Sequence, residues 1–326
     1  EGYAGNLVTN IFAGGTVDSE RCFLTGYSSL KNFRTYTNSY AWYFREQGYR
    51  VEGMHPYSDW FYNRSNVNEY LGFQAYYMME NYFSALTDEE RALDNLFFAE
   101  LLKTYQAGAA GDQPYFNFSV SFQGHGPYND DICWWGPLGA FVKESPDYTT
   151  QEQYILDNYF GSIANTTENI RMLTDYLRTD SEPVVLVLFG DHNPWLGDGN
   201  SVYHAIGLNF DLDTQQGFLD YYSTRYIIWA NDAAKEILGR DIQGEGPDIS
   251  PCFLMQQVFD LCGWEGPAFM QAARAVEAEV PVVHTSGQYL VDGVLTRQLP
   301  EDKQALVSDY MNLQYYWRKH FAYGKD

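Results

Sequence analysis

The sequence is poor in basic residues. Its 326 residues include 20 Lys and Arg against 43 Asp and Glu, which gives a formal net charge of −23. Nucleic acid is therefore not an expected partner, because its phosphates select for Lys and Arg. The same balance gives no support for a basic surface patch that would bind anionic lipid.

Long apolar runs and cysteine motifs are scarce as well. The longest apolar runs, such as residues 184–189, are far shorter than the roughly 20 residues that span a bilayer, and the first residues do not resemble a signal peptide. None of the four cysteines stands in Cys-x-x-Cys spacing: Cys22, Cys133, Cys252 and Cys262. We expect free thiols rather than a metal cluster, although a Cys252–Cys262 bridge stays open.

Apolar residues make up 45% of the chain and aromatic residues 17%, so a large core is expected. Helical spacing or helix-start signals predict helices over residues 41–48, 87–106, 151–178 and 250–261. Strand patterns occur over residues 49–54, 115–122, 184–189 and 225–230. The alternation predicts an α/β fold with a parallel central sheet, in which residues 184–189 form a central strand buried on both faces.

Two polar segments directly follow predicted strands. His125 comes after residues 115–122, and the pair Asp191-His192 comes after residues 184–189. In α/β sheets, ligands bind beyond the carboxyl ends of the strands. A carboxylate beside an imidazole can hold one divalent cation, but a turn aspartate with a half-buried histidine is the alternative. For His125 a purely structural role is also open.

Two further segments contain residues suited to phosphate chemistry. Gly14 and Gly15 precede Thr16, so an anion could approach the start of a helix there, and a metal-bound Thr16 hydroxyl would be a nucleophile. The alternative is simple capping of that helix by Thr16 or Ser19. Arg64 stands among aromatic residues and could clamp a phosphate, or it could stack on a tyrosine or pair with a glutamate.

The order of these segments resembles the lipoteichoic acid synthases, which are phosphoglycerol transferases of the alkaline phosphatase and sulfatase superfamily. The matching segments are Gly-Gly-Thr16-Val-Asp-Ser-Glu, Phe-Tyr62-Asn-Arg64, Gly-His125-Gly-Pro and Phe-Gly-Asp191-His192. The resemblance extends to about residue 263. It implies a mostly parallel central sheet flanked by helices over residues 1–275, and a smaller C-terminal α+β portion over residues 276–326.

The resemblance also implies a chemistry. Thr16 would be the nucleophile and, with Asp191 and His192, a ligand of one divalent cation, typically Mn²⁺ or Mg²⁺, with Zn²⁺ also possible. The glycerophosphate head group of a phosphatidylglycerol-like lipid would be held by four residues: His55, Tyr62, Arg64 and His125. The acceptor would be a growing polyglycerophosphate chain, a glycolipid or water. The chain would work as a monomer on the extracellular face of a bacterial membrane, anchored by a segment that it does not contain.

The sequence departs from the family pattern at several points. Members place a further acidic ligand on a first strand, tens of residues before the nucleophile, whereas fifteen residues precede Thr16 here. We therefore expect that strand to be missing. Tyr62 replaces a tryptophan, and Asn193-Pro194 replaces a Tyr-Gly pair. The alternatives are a glycerophosphate-polymer binding protein without catalysis, and a sulfatase, whose Cys/Ser-x-Pro-x-Arg motif is not present.

Overall fold

The computed structural model describes residues 2–31, 33–208 and 210–323. The strands are β1 (Tyr3–Val8), β2 (Arg50–Met54), β3 (Ala75–Tyr77), β4 (Tyr115–Ser119), β5 (Val185–Phe189), β6 (Ser223–Ala230), β7 (Gly244–Glu245), β8 (Val282–Val283), β9 (Tyr289–Val291) and β10 (Val294–Thr296). The helices are α1 (Val17–Thr25), α2 (Tyr40–Glu46), α3 (Arg64–Tyr70), α4 (Asp94–Ala109), α5 (Thr150–Thr179), α6 (Ser201–Ala205), α7 (Gln215–Tyr222), α8 (Asp232–Leu238), α9 (Pro251–Cys262), α10 (Ala268–Glu279) and α11 (Glu301–Lys319).

The strands form three sheets, and the predicted α/β class is confirmed. One sheet has the order β3-β2-β4 and is parallel throughout. A second has the order β5-β6-β1-β7, in which β6 runs antiparallel to both of its neighbours. The third is a small antiparallel sheet, β10-β9-β8, near the C-terminus. The division after residue 275 stays a prediction, and α10 runs across it.

The prediction for residues 184–189 is right about the strand and wrong about its burial. All five side chains of β5 are half-buried. The reason is topological, since β5 pairs with β6 and lies at the edge of its sheet. Strand β4 is likewise the edge strand of its own sheet.

The two larger sheets share one hydrophobic core. Phe23 of α1 lies between them, with its ring centroid 5.6 Å from that of Phe118 in β4 and 4.9 Å from that of Phe189 in β5. On the other face, the cluster that contains Leu173 of α5 joins Met54 of β2 to the apolar side chains of β5. Helices therefore cover both faces, and this arrangement places the carboxyl ends of β2, β4 and β5 on the same side of the molecule.

Local signals explain where the helices begin. Helix α5 matches its predicted range and starts with a capping box, in which Thr149 and Glu152 bond each other's backbone N–H. Helix α9 has Pro251 at its first position. The prediction that a helix starts at Thr87 is wrong, because the Thr87 hydroxyl accepts the Glu89 N–H in a turn and α4 begins only at Asp94.

The expectation of free thiols is confirmed for all four cysteines. Cys252 and Cys262 both lie on α9 and form no bridge. Burial raises the pKa of the Cys252 thiol to about 12 and that of Cys262 to about 11. Both side chains therefore stay protonated and pack as small apolar groups.

A buried carboxyl group connects α9 and α10. Glu277 of α10 accepts hydrogen bonds from the side-chain amides of Gln256 and Gln257 of α9. Burial raises the pKa of Glu277 to about 7. The charge of Asp260 also raises this pKa, and the charge of Arg274 lowers it. The folded protein therefore holds a proton on Glu277 at pH values where the unfolded chain has already lost it.

This proton should make stability depend on pH. Because the folded pKa is the higher one, the contribution of Glu277 is fully present below about pH 4.5 and is lost as the pH rises through about 7. Glu277→Gln should remove that dependence and raise the free energy of unfolding at pH 8 by on the order of 3 kcal/mol. Urea unfolding of both proteins between pH 4.5 and 8 measures the difference. If the free energies of unfolding of the two proteins changed with pH in parallel, Glu277 would be ionised in the folded state.

Candidate active site

Thr16 stands at the start of α1 with its hydroxyl free of a capping role. It is the N-cap residue, and its side chain makes no capping hydrogen bond to the described residues. The preceding loop is strained at Ala13, which has a φ of 63°, whereas Gly15 adopts its φ of 94° without strain because it has no Cβ. The Asp18 N–H donates to the Gly15 carbonyl over 2.8 Å, which closes the loop onto the helix. The alternative in which Thr16 caps α1 is therefore wrong.

Two hydrogen bonds place this loop against the segment that follows β5. The Ala13 N–H donates to the Asn193 carbonyl over 2.9 Å, and the Ser19 hydroxyl donates to the Asp191 carbonyl over 2.6 Å. The bonded residues lie on either side of Thr16 in the sequence. The loop that carries Thr16 therefore lies against the segment that carries Asp191 and His192. Ser19 is occupied by this bond, so it does not cap the helix either.

Asp191 and His192 face each other in a way that suits a cation. The Nδ1–H of His192 donates to the Asn193 carbonyl over 2.8 Å, which fixes the ring so that Nε2 faces Asp191. Nε2 lies 3.3 Å from Oδ2 of Asp191. A carboxylate oxygen and an imidazole nitrogen are both ligands that a divalent cation accepts. The side chain of His192 is 14% exposed and that of Asp191 is 34% exposed, so the pair remains open to solvent.

The acidic ligand that the family pattern requires is not supplied by β1. This strand precedes the Thr16 loop but is followed by Thr9 and Asn10. Within residues 2–31, 33–208 and 210–323, no group of three or more His, Cys, Asp and Glu could hold a metal ion. The candidate ligands are thus the side chains of Asp191 and His192 and the hydroxyl of Thr16.

Arg64 forms a buried ion pair with Glu20. Its two terminal nitrogens lie 2.7 and 2.6 Å from the Glu20 carboxylate oxygens, and the side chains are 3% and 8% exposed. Arg64 is the first residue of α3, and Glu20 lies in α1 about one helical turn after Thr16, so the ion pair joins these two helices. Arg64 also lies 5.8 Å from the ring centroid of Tyr62, whose backbone has a φ of 58°. The structure thus contains the alternative noted from the sequence, in which Arg64 pairs with a glutamate. Arg64 Nε has no partner among the described residues.

His55 is buried behind the aromatic residues that follow β2. Its Nδ1–H donates to the Val120 carbonyl over 2.9 Å, and its Nε2 has no partner in the described part of the chain. Burial, followed by the positive charge of Arg64, lowers the pKa of His55 to about 4. The ring is therefore neutral at pH 7 and its Nε2 is a hydrogen-bond acceptor, which suits a hydroxyl group of a ligand better than a phosphate oxygen.

His125 lies on the exposed loop after β4, stacked on Phe122 with ring centroids 4.7 Å apart. The same loop reaches the other candidate residues. The Tyr128 hydroxyl donates to the Gly124 carbonyl over 2.6 Å. Burial raises the pKa of the Tyr128 phenol, and the charge of Asp191 adds to that shift. The segments that carry Thr16, Asp191 and His192 thus lie against one another, while His55, Tyr62, Arg64 and His125 lie on the segments that follow β2 and β4.

A family model matches most of the chain. The Sulfatase family model matches residues 3–264. The chain belongs to the sulfatase family. The prediction of the alkaline phosphatase and sulfatase superfamily, which is a superfamily of enzymes, is therefore confirmed.

Several known proteins, some of them with solved structures, are similar to this sulfatase-family chain. A protein of Rhizobium meliloti that is named for the modification of cyclic β-1,2-glucan is 28% identical over 281 residues. The match covers 81% of this chain and 41% of the relative, so the chain spans less than half of that protein.

Two solved structures share the fold. The phosphoglycerol transferase GacH of Streptococcus pyogenes, in complex with sn-glycerol-1-phosphate, has a TM-score of 0.70 at 18% identity, over 98% of this chain and 77% of GacH. The lipoteichoic acid synthase LtaP of Listeria monocytogenes has a TM-score of 0.63 at 16% identity, over 97% of this chain and 83% of LtaP. At these identities the similarity shows a common sulfatase-type fold.

Sequence reasoning missed two residues that position the centre of this sulfatase-family chain. One is Glu20, the buried partner of Arg64. The other is Asn193, whose side-chain amide donates to the carbonyls of Asp220, Tyr221 and Ser223 over 3.0–3.1 Å and so fixes the loop after β5. Glu20 lies one helical turn after Thr16, which is the only local signal.

In the described residues no helix has the length and apolar character needed to cross a membrane.

Proposed function

We propose that this chain transfers glycerophosphate from a phosphatidylglycerol-like lipid through a covalent intermediate on Thr16. The proposal is supported by the Thr16 hydroxyl, which is not used in capping, and by the two hydrogen bonds that hold its loop against the Asp191-His192 segment. A hydroxyl at the start of a helix of nine residues lies near backbone N–H groups of the first turn, which stabilise a phosphate group.

One divalent cation belongs to the proposal. Asp191 would supply a carboxylate oxygen, His192 an unprotonated nitrogen and Thr16 a hydroxyl oxygen. This donor set fits Mn²⁺ or Mg²⁺, and also Zn²⁺, with water completing the coordination. When bound, such an ion neutralises phosphate charge and favours the ionised form of the Thr16 hydroxyl.

The transfer has two steps. Thr16 Oγ1 forms a bond to the lipid phosphorus, the bond from phosphorus to the diacylglycerol oxygen breaks, and diacylglycerol leaves with a proton. An acceptor hydroxyl then takes the glycerophosphoryl group from Thr16. A growing polyglycerophosphate chain, a glycolipid and water are all chemically suitable acceptors. The relative named for glucan modification makes a glucan a further candidate.

Four side chains are proposed to hold the glycerol and phosphate groups. His55 Nε2 would accept a hydrogen bond from a glycerol hydroxyl, since it is unpartnered among the described residues and unprotonated. His125 and Tyr62 would contact the group from the exposed side. Arg64 would act through its Nε, because its terminal nitrogens are bonded to Glu20.

We further propose that the protein works as a monomer outside the bacterial cell, at the membrane surface. A segment beyond this chain would hold it there, and nucleic acid is not a partner. The net charge of −23 is compatible with this proposal because attachment to the membrane would not depend on basic residues.

One experiment tests the centre and the reaction together. After dialysis against Mn²⁺, elemental analysis should find about one ion per chain, and diacylglycerol should be released from phosphatidylglycerol vesicles. His192→Ala should weaken ion binding more than about tenfold and abolish release. His204→Ala, which changes an exposed histidine of α6, is the matched control. Equal ion binding by His192→Ala, or release that does not require an ion, would contradict the proposal.

A further inference from the structure

A cavity of about 510 Å³ opens where the turn after β2 meets the loops before α4 and after β4. Aromatic side chains form much of its wall. Tyr57 and Phe122 stack with ring centroids 4.3 Å apart and an interplanar angle of 5°, and Phe61 meets Tyr57 edge-on at 5.8 Å. Because Tyr57 and His125 stack on Phe122 with ring centroids 4.3 and 4.7 Å away, the apolar surface open to a ligand is mainly that of Tyr57 and Phe61, near the carboxyl ends of two strands.

Backbone hydrogen bonds fix the turn that supplies these rings. The Tyr57 carbonyl accepts the Met79 N–H over 3.2 Å. The Glu80 carboxylate accepts the Asp59 N–H over 2.8 Å and also the Ser58 hydroxyl. The rings are thus held in position before any ligand binds, which lowers the entropy cost of binding.

The polar groups of the cavity favour a ligand rich in hydroxyl groups. Glu89 and Glu90 line it and can only accept hydrogen bonds when ionised. Arg91 lies over the face of Phe122, 5.6 Å from the ring centroid, and can donate. Two carboxylates beside one guanidinium, in a molecule of net charge −23, repel a polyanion such as polyglycerophosphate. A neutral ligand does not meet this repulsion.

The cavity adjoins the proposed reaction centre and extends outward to solvent. His125 lines the cavity and belongs to the head-group residues proposed above. His55 meets Phe122 edge-on at 5.6 Å from behind. On the outer side, Trp60 is 69% exposed and its ring lies 5.8 Å from that of Phe61. The rings form a continuous surface that leads towards the site.

We propose that this cavity binds the acceptor of the transfer, and that the acceptor is a neutral oligosaccharide of hexopyranose units; this inference rests on the proposed function. The C–H faces of pyranose rings pack on aromatic rings, and their hydroxyls bond to carboxylates and guanidinium groups. A sugar hydroxyl oxygen forms the new bond to phosphorus, the bond from phosphorus to Thr16 Oγ1 breaks, and the hydroxyl proton ends on Thr16. The product is a glycerophosphoryl sugar.

Calorimetric titration with a linear neutral β-1,2-glucan oligosaccharide tests the cavity. The assay contains no lipid, so it does not depend on turnover. Phe61→Ala should weaken binding at least about tenfold through loss of aromatic contact, and Trp60→Ala, an exposed change that does not threaten folding, about threefold. Trp134→Ala removes a tryptophan that is 59% exposed and lies outside the cavity, and it should bind like the unchanged protein.

The outcomes separate the two proposals. Binding that Phe61→Ala weakens and Trp134→Ala leaves unchanged supports the acceptor site. Absence of glucan binding, equal binding by Phe61→Ala, or tighter binding of polyglycerophosphate would overturn it. Glucan binding without diacylglycerol release from phosphatidylglycerol would instead overturn the proposed donor reaction and leave the sugar site supported.

Discussion

Thr16→Ala is expected to lower diacylglycerol release at least about 10³-fold while leaving the fold intact. The loss is large because the side chain supplies the attacking oxygen and no later step can proceed without it. The fold should be retained because the Thr16 hydroxyl makes no capping hydrogen bond in the described structure. Thr16→Ser keeps an oxygen at nearly the same place and should retain part of the activity.

Release of diacylglycerol and the intact mass of the protein are the measurements. A glycerophosphoryl adduct should form on the unchanged protein after brief incubation with phosphatidylglycerol and should not form on Thr16→Ala. Thr167→Ala, which removes an exposed threonine hydroxyl on α5, is the matched control and should behave like the unchanged protein. Comparable release by Thr16→Ala would refute the covalent route.

Arg64→Ala should destabilise the protein by about 3–5 kcal/mol. The substitution leaves the Glu20 carboxylate buried without its partner, and a buried ion pair that loses one member costs this much. Arg64 is also one of the residues proposed to hold the head group. Substrate use should therefore fall, while Asp191 and His192 still bind the cation.

Urea unfolding gives the free energy, and elemental analysis gives the bound ion. Arg171→Ala is the control: Arg171 pairs with Glu168 and Asp175, but its side chain is 59% exposed, so little change in stability is expected. Loss of the ion in Arg64→Ala would contradict the role given to Arg64. A free energy of unfolding unchanged from the parent protein would show that water replaces the guanidinium beside Glu20.

The sequence allowed the fold class and most of the long helices to be predicted, because their signals are local. Residues 151–178 follow helical spacing and Thr149 and Glu152 cap them, so α5 could be read directly. The burial of β5 could not, because it depends on how many neighbours a strand has. The start of α4 was also missed, since a threonine followed by acidic residues suits a turn as well as a helix.

The site was partly predictable for a similar reason. Asp191 and His192 are adjacent in the chain, and the glycines before Thr16 mark a loop that approaches other groups closely. The pairing of Arg64 with Glu20 joins residues 44 positions apart, and no local pattern identifies which carboxylate a buried arginine will meet. The aromatic cavity likewise draws on three separate segments of the chain.

The edge positions of β4 and β5 affect how the molecule behaves in concentrated solution. Each strand has one row of peptide groups that no neighbouring strand of the described sheets occupies. Such an edge can pair with another chain, and β5 is apolar along its whole length. The strong negative charge keeps molecules apart at low ionic strength, whereas salt screens that repulsion. Added salt should therefore weaken the repulsion that opposes pairing at these strand edges.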